Sequence, residues 1–102
     1  MAKFVYVYTG GQMAETPEAQ EQAMQAWIAW FGTLGAAVTD MGSPFGASAT
    51  VKSGGAVSGS PLNAGGYSII SADSLDDATA KAAGCPVLSG GGTVEVYEAL
   101  PM

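Results

Sequence analysis

Apolar positions along this chain recur in two periods, and the switch between them marks out its elements. In residues 3–9, KFVYVYT, β-branched and aromatic residues run up to Gly10-Gly11, which predicts a strand. Phe4, Tyr6 and Tyr8 fall on one face of it and Val5 and Val7 on the other. Both faces are apolar, so both need cover. The period then lengthens. Ala23, Trp27, Trp30, Phe31 and Leu34 recur at spacings of three and four, and Met24 and Ile28 widen the stripe. Thr16 is the expected N-cap of this helix, Pro17 its first residue, Glu18 and Glu21 suit the positive end of its dipole, and Gly32 or Gly35 ends it.

Residues 36–43 predict a second strand, closed by Pro44. Residues 45–66 are dominated by Gly, Ser and Ala; within them TVKSGGAVS predicts a hairpin turning at Ser53-Gly54-Gly55. This low-charge insert is expected at the surface or at the lip of a pocket. Residues 66–72 predict another strand. A short helix follows, capped by Ser74 with Asp77 three residues on, a relative of the capping box. Leu75, Ala78 and Ala82 form its expected buried stripe, Lys81 complements its negative end, and Gly84 is the expected left-handed C-cap before Pro86. Residues 93–99 predict the last strand, Val94 and Val96 on one face, Glu95 and Tyr97 on the other.

The order β-α-β, hairpin insert, β-α-β over a single domain of residues 1–102 predicts an α+β fold. It is the ferredoxin-like, split βαβ arrangement, with an antiparallel sheet and both helices on one face. The valine-rich faces are assigned to the helices. The opposite face then carries Phe4, Tyr6, Tyr8, Tyr67, Ile69 and Tyr97. An aromatic face of that extent is rarely left to water, so a homodimer through it is expected, with two-fold symmetry.

Charge and composition narrow the function. Three lysines face nine carboxylates, arginine is absent, and the net charge of −6 disfavours nucleic acid and anionic membrane as partners. No apolar run approaches the roughly 20 residues that span a bilayer. The first residues read as a strand rather than a secretion signal. One cysteine cannot form an internal disulfide, which suits a reducing cytoplasm. The chain has no histidine, so neither a Ser-His-Asp nor a Cys-His system can form within it, and no His-based metal site.

Chemistry is left to carboxylate, tyrosine, lysine or serine. Asp40 and Glu95 are the carboxylates expected on or near the sheet face, where desolvation would suit acid-base work; Asp40 is the best catalytic candidate. In water at strand edges, or bonded to tyrosines across a dimer, they would be inert. Tyr6, Tyr8, Tyr67 and Tyr97 would line a small-molecule pocket together with those carboxylates, or serve only as interface aromatics. Trp27 and Trp30 suit a ligand cage, but their spacing favours core. Asp76 and Asp77 are explained by the helix dipole rather than by a metal. No dinucleotide fingerprint implies a cofactor, and the triple glycine Gly90-Gly91-Gly92 opens a strand, not the helix that phosphate binding uses. It reads as a flexible connection. Cys85 is expected to be a buried packing residue. Two functions remain: a small-molecule binding or acid-base module, and a non-catalytic accessory dimer.

Residues 65–98 also resemble the YCII-related family, including its DGPF-type members. They carry a Gly-Gly-Tyr strand, an Ala-Asp-Ser-Leu-Asp-Asp-Ala helix start, a Gly-Cys-Pro exit, a glycine turn and a Glu-Val strand. The N-terminal FVYVYTG and the GSPF segment fit more loosely. The resemblance implies a bacterial protein and a dimeric α/β barrel. For some members it implies a His–Asp pair whose histidine sits in the first helix. The corresponding stretch here, AMQAW, has no histidine, and SGSP stands at residues 58–61 where Asp-Gly-Pro-Phe would be, so that pair does not carry over.

Overall fold

In chain order the elements are β1 (Ala2–Thr9), α1 (Pro17–Leu34), β2 (Val38–Pro44), β3 (Ala49–Lys52), β4 (Gly55–Ser58), β5 (Ala64–Ala72), α2 (Leu75–Ala82) and β6 (Thr93–Ala99). They come from a computed structural model, which describes residues 2–10 and 15–101. The main sheet is antiparallel with strand order β2-β5-β1-β6, an arrangement compatible with a ferredoxin-like fold. Both helices lie on one face of it, since Trp30 of α1 and Ala78 and Ala82 of α2 share one core with Phe4, Tyr6, Tyr8 and Ile70. The molecule measures 44 × 42 × 19 Å, the thickness of one sheet and one helical layer.

The predicted caps form. Thr16 Oγ1 accepts the Ala19 N–H at 3.1 Å, and α1 ends where Gly35, at φ 56°, sends its N–H to the Phe31 carbonyl. Ser74 Oγ accepts the Asp77 N–H at 3.1 Å, and Asp77 in turn holds Lys81 Nζ at 2.6 Å and the Asp73 N–H at 3.0 Å.

On β1 the faces are the reverse of those expected from the valine pattern, while β5 and β6 are as expected, with Val94 and Val96 packed against the core. Phe4, Tyr6, Tyr8, Ser68, Ile70 and Ala72 point at the helices and are buried. Val5, Val7, Tyr67 and Ile69 are half-buried on the open face, with Glu95 and Tyr97 more exposed beside them. The reason is volume. The inner stripe of α2 is alanine, and Leu75 is turned half out of the core, so the bulk must come from the sheet. Aromatic rings supply it, and valines would leave a void. The phenol of Tyr6 reaches across to donate to the Ala78 carbonyl, and Trp30 Nε1 donates to the Lys81 carbonyl at 3.2 Å.

Two glycines also differ from expectation. Helix α2 closes on Ala83 in a right-handed conformation, and Gly84 is not left-handed. Its role is room: a Cβ there would stand 3.3 Å from Trp30 Cδ1. The triple glycine is not a loose connection. The turn Pro86–Gly90 ends at Gly91, at φ 84°, and the N–H groups of Gly91 and Gly92 bond the carbonyls of Leu88 and Val87.

Strand β2 meets β5 through a bulge. Gly42 there has φ 75°, and a Cβ would fall 1.7 Å from the Tyr67 carbonyl oxygen. Strands β3 and β4 form a separate two-stranded sheet turning at Ser53 and Gly54, tied at its base by Gly59 N–H to the Ser48 carbonyl and Thr50 Oγ1 to the Gly59 carbonyl, both 2.8 Å. Among the described residues no helix is long and apolar enough to cross a membrane.

Gly42→Ala is expected to lower unfolding stability by more than about 2 kcal/mol, since backbone strain and a main-chain clash coincide. Urea denaturation measures it; an unchanged midpoint would mean that β2 can move away from β5 at little cost.

Candidate functional site

The spacing of 24, 27 and 31 puts Met24, Trp27 and Phe31 on one side of α1. That side overhangs the β2–β5 edge of the sheet and leaves a cleft of about 490 Å³. Its other walls come from Tyr8 of β1, Met41 to Pro44 of β2, Gly65 to Ser68 of β5, and Val87. Trp27 meets the Tyr8 ring edge-on with centroids 4.8 Å apart, and lies 5.7 Å from Trp30 and 6.0 Å from Phe31. Trp30 is thus core, as its spacing suggests, while Trp27 stands between core and cleft.

One polar chain runs along this apolar lining. The Tyr8 hydroxyl donates to Ser68 Oγ at 2.8 Å, and Ser68 Oγ donates to the Met41 carbonyl at 2.7 Å. Ser68 is fully buried and its bond with Tyr8 lies away from bulk water, its bond with Met41 is part-buried, and the two hold β1, β5 and β2 together. The Tyr8 oxygen keeps acceptor capacity after donating its proton. Burial pushes the Tyr8 phenol well above its ordinary range, and the bond with Ser68 offsets part of that. Burial likewise pushes Tyr6 from 10.0 to about 12, with the charges of Asp77 and Cys85 adding to the rise. The buried Cys85 thiol is pushed from 9.0 to about 11 for the same first reason, with a backbone bond at Val87 opposing it. Near neutral pH these groups keep their protons.

The six sequence candidates divide between the two sides of the sheet. Tyr6 is in the core. Tyr8 lines the cleft. Tyr67 borders it and stacks on Phe45 with centroids 5.7 Å apart. Glu95 is exposed on the open face and accepts from the Thr93 hydroxyl at 3.1 Å, and Tyr97 is exposed beside it. Asp40 is exposed at the β2 bulge, where Oδ1 accepts the Gly42 N–H at 2.8 Å. Its carboxylate braces the bulge and does not line the cleft. Among the described residues no group of three or more His, Cys, Asp or Glu could hold a metal ion.

Met24, Phe31, Met41, Ser68 and Val87 are among the cleft residues that sequence reasoning did not offer as site residues. Ser68 carried a signal: it is the polar residue at an inward position of an apolar strand. Met24 carried another, as part of an apolar stripe wider than a helix over a small sheet needs. No family model, curated protein or solved structure matches the chain.

Tyr6 gives a pH dependence of defined sign. Its folded pKa exceeds its unfolded value, so its contribution to stability is complete below about pH 10 and is lost as pH rises towards 12. The urea midpoint is expected to fall across that window while tyrosinate absorbance of the native protein lags behind that of the unfolded chain. Equal tyrosinate titration in native and unfolded protein would contradict the burial described.

Proposed function

We propose that this protein is a small-molecule-binding module, built as a homodimer joined through the open sheet faces in the manner of the YCII-related, DGPF-type proteins and their dimeric α/β barrels. The observation that carries the binding assignment is the apolar cleft with the Tyr8–Ser68 pair buried along it. Such a site selects a flat, largely apolar molecule that stacks against Trp27 and Phe31 and offers one N–H or O–H to the Tyr8 oxygen. Its walls hold no carboxylate, and its phenol stays neutral near pH 7, so binding is supported better than proton transfer. For the same reason the cleft is a better ligand site than the space between two sheets, where Glu95 and Tyr97 would lie. A reducing cytoplasm suits the single buried thiol.

A second reading, a non-catalytic accessory dimer, rests on surface area. The chain exposes 6999 Å², against roughly 5,300 Å² for a compact monomer of its mass. The excess of about 1,700 Å² leaves room for a standard interface, about 800 Å² per partner.

Titration with 2-naphthol, a flat apolar molecule with one hydroxyl, distinguishes the two readings. It is expected to quench tryptophan fluorescence saturably, with affinity falling at least tenfold in Phe31→Ala and unchanged in Tyr97→Ala. Saturable binding that Tyr97→Ala abolishes and Phe31→Ala leaves intact would move the ligand to the sheet face. Absence of saturable binding would favour the accessory dimer.

A further inference from the structure

A hydrogen-bond chain has a direction, and the one along the cleft runs a single way. It ends on the Met41 main-chain oxygen, 2.7 Å from Ser68 Oγ, and a carbonyl only accepts. The one proton of Ser68 is therefore committed to it. Tyr8, 2.8 Å from Ser68 Oγ on the other side, must then supply the proton of their shared bond. A phenol has one proton, so the Tyr8 oxygen has only lone pairs left to offer a ligand. The strand makes Ser68 singular. The inward row of β5 is Gly66, Ser68, Ile70 and Ala72, all buried, and one hydroxyl in such a row is costly unless both its bonding roles are used. Other side-chain donors on the described lining, on Trp27, Ser43 and Tyr67, belong to half-buried or exposed residues, within reach of water. No cationic side chain is among the described lining residues, so an anion in the cleft would lack a charged partner as well as a buried donor.

We propose that Ser68 is the positioning residue that sets the ligand specificity of this cleft. By drawing the Tyr8 proton away from the ligand, it makes the cleft take aromatic molecules that donate, phenols and aromatic amines, and reject those that only accept, aryl ethers and aryl carboxylates. This rests on the cleft being the binding site and adds the side chain that decides which small molecules fit it chemically. A donating ligand places its O–H or N–H on the Tyr8 oxygen and extends the chain by one bond, from ligand to Tyr8 to Ser68 to Met41. An accepting ligand sets its own lone pairs against those of Tyr8 and forfeits a bond to water with no replacement. Shape alone would not tell the two apart, since the apolar walls of Met24, Trp27 and Phe31 meet both alike. Removing the Ser68 hydroxyl frees the Tyr8 proton, and the same phenol then offers a donor to the cleft.

Isothermal titration calorimetry of the full chain at neutral pH tests this with three probes of one ring system: 2-naphthol, which donates, 2-methoxynaphthalene, which only accepts, and 2-naphthoate, an anion. Far-UV circular dichroism checks that each variant folds. The wild type is expected to bind 2-naphthol at least about tenfold tighter than the ether, although the ether is the more apolar molecule, and 2-naphthoate weakest. Ser68→Ala is expected to bind the ether about threefold tighter or more than the wild type does, and so to narrow the preference. Tyr8→Phe, which removes the oxygen, is expected to remove the preference for 2-naphthol. Should Ser68→Ala fail to fold, the wild-type ratio and Tyr8→Phe carry the test. Equal affinity of the wild type for 2-naphthol and the ether, or tightest binding of 2-naphthoate, would overturn the specificity and leave the cleft a binding site. A Ser68→Ala variant that weakens both neutral probes by the same factor would make Ser68 a tie between strands and overturn its role. Absence of saturable binding of all three would overturn the cleft reading and this inference with it.

Discussion

The rest of the fold depends on a mismatch of sizes between the sheet and the second helix. Helix α2 is eight residues long and presents Ala78 and Ala82 inward, so it can sit low over the sheet only if large side chains rise to meet it. Tyr6, bonded to the Ala78 carbonyl, does that from β1, a strand paired on both sides, with Phe4 in the same core, while Tyr8 on the same face meets Trp27 and Trp30 of α1. Tyr6 stacks on Trp30 at 6.0 Å, and Tyr8 meets the same indole edge-on at 6.2 Å. Such contacts add about 0.5–1.5 kcal/mol each beyond the area they bury. Each phenol needs a partner once inside. Tyr6 takes a helix carbonyl, and Tyr8 takes Ser68, itself anchored on β2. The packing that makes the core thereby also makes the polar chain along the cleft.

That coupling separates two surfaces by chemistry. The helix side combines apolar walls with phenols held neutral by burial, a setting for recognition of shape and one hydrogen bond. The open side combines half-buried valine and isoleucine with exposed carboxylate and tyrosine, the mixed composition of a surface that meets another protein. In the reading proposed here, ligand and partner occupy opposite sides of a single sheet, with β5 contributing to both by strict alternation: Ser68 inward, Tyr67 and Ile69 outward.

Most of the fold was legible in the sequence, because caps and turns are local. Thr16 and Ser74 announced the helix starts, and residues 93–99 were bounded correctly by the glycines before them. Face assignment was legible on β5 and β6, where Val94 and Val96 turn inward and Tyr67, Ile69 and Tyr97 outward as expected, but not on β1. Alternation says which residues share a face but not which face is inside, and on β1 both sets are apolar. Only the alanine stripe of α2 breaks the tie, through a volume argument between elements more than 60 residues apart in sequence. The cleft was hidden for a related reason. It exists because α1 overhangs the sheet edge, and no periodicity encodes where a helix stops being covered. The candidates chosen by chemical type were therefore scattered, with Tyr8 in the cleft, Tyr6 in the core, and Glu95 and Tyr97 across the sheet.

The glycine at the β2 bulge has a consequence for how this cleft could change. One wall of the cavity is a strand whose separation from its neighbour is fixed by main-chain contact, where the residue without a side chain is the one that fits. The calibre of the site on that side is consequently rigid. Variation in the size of a bound molecule has to be accommodated from the helix, where Met24 is largely exposed and unbranched and can be exchanged at small cost to packing. The sheet acts as a fixed jaw and the helix as the adjustable one.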